Sequence, residues 1–407
     1  MEIKKLELLA PAGDLEKLKV AVLYGADAVY IGGKSFGLRK NAGNFSYEDM
    51  AEAVEFAHKY GKKIYITANI FAHNNDIDKL DNFLETIKEL KFDGIIVSDL
   101  GIFKKAIKTG IPVHISTQAN TTNYQSALFW YELGAKRVVL ARELSLEEIK
   151  EIRDKTPKDL EIEAFVHGAL CISYSGRCFL SNYMTYRDAN LGDCAHPCRY
   201  KYYVVEEKRP NQYFPIIENE TGTYIFNSKD LCMIEYIDKL VFSGIDSFKI
   251  EGRMKSSFYI ATVVSNYRKA IDKFIKDPYN FAPEEEWLIE IAKCSHRSYT
   301  TNFYFGKPNQ NDYKYESSQY IREYDFVGIV KDIINENFAI VEQRNRFFKG
   351  DLVEVMLPDG TYFEQTIDFI EDQDGNQIDV CPHPQQLVKI RFDKKVTQYA
   401  MLRKKSE

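Results

Sequence analysis

Five of the seven cysteines in this 407-residue chain fall in one run, spaced Cys171-x6-Cys178-x15-Cys194-x3-Cys198-x33-Cys232. Two histidines, His167 and His196, stand beside and inside it, while Cys294 and Cys381 lie elsewhere. Thiols gathered like this serve a disulfide framework, a metal site or a reactive thiol. The start, Met1-Glu2-Ile3-Lys4-Lys5, enters folded sequence without an apolar leader, and no apolar run is long enough to span a bilayer. A cytoplasmic protein is the expectation, and disulfides are rare there. Zinc prefers compact cysteine pairs, whereas iron–sulfur clusters accept four thiolates at looser spacing. Buried structural thiols are the ordinary alternative. A Cys–His nucleophile using His167 or His196 is a further reading, although such a thiol needs no four neighbours. The spacing favours a metal site over structural thiols but does not choose the metal.

Other candidate groups recur at the ends of β-branched segments. They are Asn69, Asp99, Gln118, Asn120, Arg142, Glu143, His167, Glu251 and Arg253, with Lys249 and Lys255 flanking the last two. Arg142 and Arg253 suit bidentate binding of a carboxylate or phosphate. His167 and Glu251 are the acid–base candidates. Asn69, Gln118, Arg142 and Lys255 are candidates for substrate contacts around Arg253. For any one of these alone, a cap or a rim contact is the usual role.

Eight strand-like segments must position them: Glu7–Ala12, Ala28–Gly32, Lys63–Asn69, Gly94–Asp99, Val113–Gln118, Arg137–Arg142, Glu161–His167 and Ser247–Glu251. Helical patterns alternate with them, including those at 14–24, 47–60, 76–90, 124–133 and 145–155. Gly25, Gly61, Gly110 and Gly134 close four of these. Eight such units predict an α/β chain closing as a TIM-like (β/α)8 barrel, with active groups at the C-terminal strand ends. An open doubly wound sheet is disfavoured, because no Gly-rich dinucleotide fingerprint follows the first strand. From Glu161 to Ser247 is 86 residues, so a cysteine-rich insertion (169–232) follows strand seven, with a hairpin around Tyr202–Phe226.

Residues 1–277 therefore form the predicted barrel. Residues 278–322 read as a linker with a short helix, Pro283–Cys294. From 323 to 407 the apolar period becomes two, with Asp359-Gly360 and Asp374-Gly375 as turns, which predicts a small C-terminal β-barrel. The composition is that of an ordinary globular protein, with 45% apolar and 28% charged residues. A net charge of −6 excludes a chain that is basic throughout but leaves room for a local basic groove. No H-E-x-x-H or G-x-S-x-G hydrolase motif occurs.

The stretch HGALCISYSGRCFLSNYMTYRDANLGDCAHPCRY resembles the signature of the peptidase U32, or collagenase-like, family. LLAPAGDLEKLKVAVLYGADAVYIG, FGLRKNAGNFS, STQANTTN, NSKDLC and FKIEGRMKS support the likeness, which covers residues 1 to about 275 and extends to the terminal β-rich part. The resemblance implies a TIM-like barrel and a [4Fe–4S] cluster ligated by Cys171, Cys178, Cys194 and Cys232, with Cys198 as a supporting thiol. It further implies 5-hydroxyuridine formation at the wobble position of tRNA, with prephenate as co-substrate. The alternatives within the family are a collagenase-like peptidase, using a metal or a thiol, and an RNA-binding subunit of a paralogous hydroxylase pair. On this reading the partners are tRNA, a small anionic metabolite and a possible paralogous protein, with no membrane and no DNA.

Overall fold

The computed structural model describes residues 6–33, 36, 45–171, 173–189, 192–199, 204–206, 209–214, 229–308 and 320–406. Seven strands open the chain: β1 (Glu7–Pro11), β2 (Ala28–Gly32), β3 (Lys63–Ala68), β4 (Gly94–Val97), β5 (Val113–Ile115), β6 (Arg137–Val139) and β7 (Glu161–Ala169). Helices α1 (Leu15–Leu23), α2 (Tyr47–Lys59), α3 (Asn74–Ile77), α4 (Leu80–Glu89), α5 (Leu100–Ala106), α6 (Tyr124–Glu132) and α7 (Leu146–Asp154) lie between them. Strands such as Ala28–Gly32 and Gly94–Val97 are buried along their whole length, as parallel strands covered on both faces must be. Caps set the helix starts. The Asp14 side chain accepts from the Lys17 N–H, and Ser46 and Ser145 form reciprocal boxes with Asp49 and Glu148. Gly25, Gly61, Gly110 and Gly134 all take positive φ just past their helices, as their positions predict.

The insertion carries α8 (Leu180–Thr185), β8 (Val204–Glu206), β9 (Arg209–Phe214) and β10 (Asp230–Cys232). Strands β8 and β9 pair as a hairpin, and the rest of the segment expected to form it lies outside the described residues. Then follow α9 (Ile237–Phe242), β11 (Ser247–Ile250) and α10 (Ser257–Lys276). Neighbouring strands from β1 to β7 pair in parallel, and β11 pairs in parallel with both β1 and β7, closing an eight-stranded TIM-like barrel. On β7 the register slips. Lys249 pairs with Phe165 but Ile250 pairs with His167, so Val166 is an extra residue.

Three details differ from the periodicity. The single helix expected at 76–90 is two helices, α3 and α4. Strand five stops at Ile115, because the Ser116 hydroxyl caps a 3-10 turn at Thr117–Ala119. The stretch read as linker holds α11 (Glu285–Ala292) and β12 (Tyr299–Thr300), and β12 pairs with β10, which itself lies antiparallel on β7. It is thus built into the barrel sheet.

The C-terminal part contains β13 (Tyr324–Ile333), β14 (Phe338–Gln343), β15 (Phe347–Phe348), β16 (Leu352–Met356), β17 (Tyr362–Thr366), β18 (Ile370–Glu371), β19 (Val380–Cys381), β20 (Leu387–Arg391) and β21 (Met401–Lys405). Seven of these form an antiparallel sheet in the order β17-β16-β21-β13-β14-β20-β18. It curves as a half-barrel, and among the described residues no pairing joins its edges β17 and β18. Its own core includes Val341, Val355, Ile390 and Leu402. No helix among the described residues is long and apolar enough to cross a membrane.

Candidate functional site

The interior of the barrel is only partly apolar. Leu9, Ala28, Tyr30, Tyr65 and Ile96 form a small cluster, and charges fill the level beside it. Arg137 on β6 donates to Glu7 at 2.5 Å and to Glu163 at 2.8 Å from Nη1, and to Glu161 at 2.8 Å from Nε. Lys249 Nζ on β11 donates to Glu163 Oε1 at 2.7 Å. Burial pushes the Glu7 carboxyl up, but the Arg137 guanidinium outweighs it and holds the group below its ordinary range. Burial lowers the Lys249 ammonium below its ordinary value, against the opposing pull of Glu163.

Above this level lies a cavity of about 560 Å³. It is bordered by Lys249, by the C-terminal strand ends and by the cysteine-rich insertion. That is where a barrel collects its reactive groups, because all eight strands end on the same face. Asn69, Gln118, Arg142, Glu251, Arg253 and Lys255 all border it. Asn69 Nδ2 donates to Gln118 Oε1 at 2.9 Å and to Ser116 Oγ at 3.3 Å. Arg142 Nη1 donates to the Ala169 carbonyl at 2.9 Å, with its guanidinium 5.3 Å from the Phe165 ring centroid. Lys255 Nζ reaches the Ser295 carbonyl at 3.5 Å and lies over the Tyr259 and Tyr320 rings. Arg253 is buried, and its Nη1 donates to Thr67 Oγ1 at 3.3 Å. A Cβ at Gly32 would overlap Arg253 Nη1, so the guanidinium lies directly against the β2 backbone.

Other candidates are placed elsewhere. His167 is not in the cavity wall. It is 1% exposed and packs against Tyr259, Tyr267 and Tyr299, and burial brings its pKa down to about 3, so it is neutral. The extra residue on β7 marks the parting, since Phe165 borders the cavity and His167 does not. Asp99 caps α5 through the Gly101 and Ile102 N–H groups, and Asn120 donates to backbone carbonyls. Burial raises the Glu143 pKa, and Glu143 is likewise outside the wall.

Cys171, Cys178, Cys194 and Cys198 all border the cavity, together with His196. Cys232 does not. It is buried opposite His167 on β10, and burial pushes its thiol up to about 12. Among the described residues, no three His, Cys, Asp or Glu side chains are placed to hold a metal ion. Three of the four thiols expected to ligate a cluster thus share one wall, and the fourth is set behind it.

Lys249, expected only as a cation flanking Glu251 and Arg253, borders the cavity from β11. One feature escaped sequence reasoning. On and beside α8, whose Leu180 and Ser181 border the cavity, Phe179, Tyr183 and Tyr186 are 72%, 85% and 94% exposed. The only sequence signal for them was aromatic density in a polar run.

The sequence profile of peptidase family U32 matches residues 13–314, and that of its C-terminal domain matches residues 322–403. A tRNA hydroxylation protein of Bacillus subtilis is 48% identical over 404 residues, covering 98% of this chain and 95% of that one. A 23S ribosomal RNA 5-hydroxycytidine synthase of Escherichia coli is 37% identical, covering 74% of this chain and 45% of that one. A collagenase of Porphyromonas gingivalis is 34% identical, covering 75% of each.

Proposed function

The chain belongs to peptidase family U32, and from that premise we propose that it is an RNA-hydroxylating protein forming 5-hydroxyuridine at the wobble position of tRNA. The observation that carries this reading is the near full-length similarity to a tRNA hydroxylation protein. The cavity supports it. A uridine attacked at a ring carbon must leave the base stack, and the open strand-end face offers it a bordered space. The exposed rings of Phe179, Tyr183 and Tyr186 are suited to stack neighbouring bases. The amide pair Asn69–Gln118 presents hydrogen-bonding groups for a pyrimidine edge.

In this proposal Arg253 holds the carboxylate of an anionic co-substrate, prephenate, with Arg142 and Lys255 as lesser contacts. Glu251 orients that group or carries a proton. A [4Fe–4S] cluster would be held by Cys171, Cys178, Cys194 and Cys232, and when bound it supplies one-electron transfer. The cavity-wall position of the first three suits it, and the burial of Cys232 does not.

Mass spectrometry of tRNA from a deletion strain tests the reading. The wild-type gene restores hydroxyuridine. Arg253→Lys lowers it at least tenfold, about 1.4 kcal/mol of lost transition-state stabilisation. Protein purified without oxygen carries about four irons per chain. Unchanged RNA with lost gelatin cleavage would instead identify a collagenase-like peptidase. Hydroxylation that needs a second, paralogous chain for catalysis would make this one an RNA-binding subunit.

A further inference from the structure

Lys249 sits where a structural counter-ion and a reactive amine would look different, and it has the features of the second. Its side chain is nearly buried yet borders the cavity. Nζ donates to Glu163 at 2.7 Å and, among the described residues, to no other acceptor. An ammonium carries three donors, so two remain for whatever occupies the cavity. The rings of Tyr30 and Phe165, with centroids 4.6 and 5.5 Å from Nζ, limit its contact with water. Glu163 does not depend on it, because Glu163 Oε2 already accepts from Arg137 and Ser247. Arg253 stands in the same wall, its guanidinium seated against Gly32 and Thr67.

We propose that Lys249 is a Schiff-base lysine: the cavity takes a small 2-oxo acid whose carbonyl carbon bonds to Lys249 Nζ while Arg253 holds its carboxylate. A planar carboxylate matches the fork of an arginine. A desolvated lysine beside other cations is the usual form of an amine nucleophile. Burial first, then the charges of Arg137 and Arg253, lower its pKa against Glu163, which favours the free amine. In the reaction, the Lys249 ammonium passes one proton to Glu163, and Nζ attacks the carbonyl carbon. A C–N bond forms, the carbonyl π pair moves to oxygen, and that oxygen takes the proton held by Glu163. The carbinolamine nitrogen then passes its second proton to the hydroxyl as the C–O bond breaks, water leaves and a C=N bond forms. An ammonium and a ketone have thus become an iminium and one water, and Glu163 is again a carboxylate. The cation beside Glu163 is retained, so the buried charge balance does not change. No oxidant or reductant is consumed.

The inference extends the proposed function by assigning a covalent anchor to its small-molecule site, and it holds whichever macromolecule is modified. Reductive trapping tests it. Full-length protein is incubated with pyruvate or phenylpyruvate and sodium cyanoborohydride, then mapped by peptide mass spectrometry. The expected result is one reduced adduct per chain, on the peptide containing Lys249, at oxo-acid concentrations that leave surface lysines unlabelled. Phenyllactate, which has the carboxylate but no carbonyl, slows the labelling. Arg253→Lys raises the half-saturating concentration at least tenfold, and Lys249→Arg removes the adduct. The wild-type map decides the matter even if that variant folds poorly. An adduct spread over surface lysines, or none at Lys249 with either oxo acid, would overturn the proposal. A Lys249 adduct in a protein that leaves RNA unchanged would retire the RNA reading and not this one.

Discussion

Two buried ion networks, alike in composition, sit in different surroundings. Inside the barrel, Arg137 and Lys249 meet Glu7, Glu161 and Glu163. Where the barrel meets the C-terminal sheet, Arg403 and Lys293 meet Glu290 and Glu354. The junction network is closed. Lys293 Nζ reaches Glu290 at 2.6 Å and both Glu354 oxygens at 2.9 and 3.0 Å. Burial would lower that lysine, but its two carboxylates outweigh burial and raise it. Lys249 has one carboxylate and a cavity, and its shift runs the other way. The same residue types make a fastener in one place and a reactive group in the other, depending on whether every donor finds a protein acceptor.

Removing one charge from each network should break the likeness most clearly. Arg403→Met leaves Glu290 and Glu354 buried with only Lys293, and should cost about 3–5 kcal/mol in denaturant unfolding. Lys249→Met leaves Glu163 still paired with Arg137 and Ser247, and should cost about 1–3 kcal/mol. Equal losses would show that Lys249 is as structural as Arg403.

Titration sharpens the contrast. Glu7 and Glu354 have folded pKa values below the ordinary 4.5, so their contributions are complete above 4.5 and are lost as pH falls through the folded values. Both networks therefore weaken in acid. In alkali they diverge. The raised Lys293 stabilises fully below 10.5 and loses this as pH rises through its folded value. The lowered Lys249 is a burden at neutral pH that is relieved as pH rises toward 10.5. The stability deficit of Lys293→Met should shrink above pH 10.5, and that of Lys249→Met should grow on the way there. Deficits that run parallel would refute the assignment.

The smallest expected stability effect lies on the exposed rings of α8. Tyr183→Ala and Tyr186→Ala should stay within about 0.5 kcal/mol of wild type in unfolding. Each should weaken binding of an anticodon stem-loop by about 1 kcal/mol in fluorescence anisotropy, the loss of one base stacked on a ring. Unaltered RNA affinity would leave these rings without a role in binding.

Much of the cavity rim was readable in the chain, because strand-end positions need only the strand order and the fact of closure. Asn69, Gln118, Arg142, Glu251, Arg253 and Lys255 follow apolar runs, and once eight parallel strands close, those ends share one face. The interior charges were not readable in that way. Lys249 alternates with Phe248 and Ile250 as a surface lysine would, and only the partners across the barrel make it internal. The fates of His167 and Cys232 turn on one extra residue in β7 and on an antiparallel strand laid beside it. Neither leaves a periodic trace.

By itself, the sequence determined the alternation of strands and helices, their caps and the family signature, since each rests on neighbours a few residues apart. Tertiary structure alone decided which charges face one another, which thiols reach the cavity and which lysine keeps unclaimed donors. Those outcomes depend on contacts between residues such as Lys249 and Glu163, 86 positions apart, whose meeting is set by barrel closure and register.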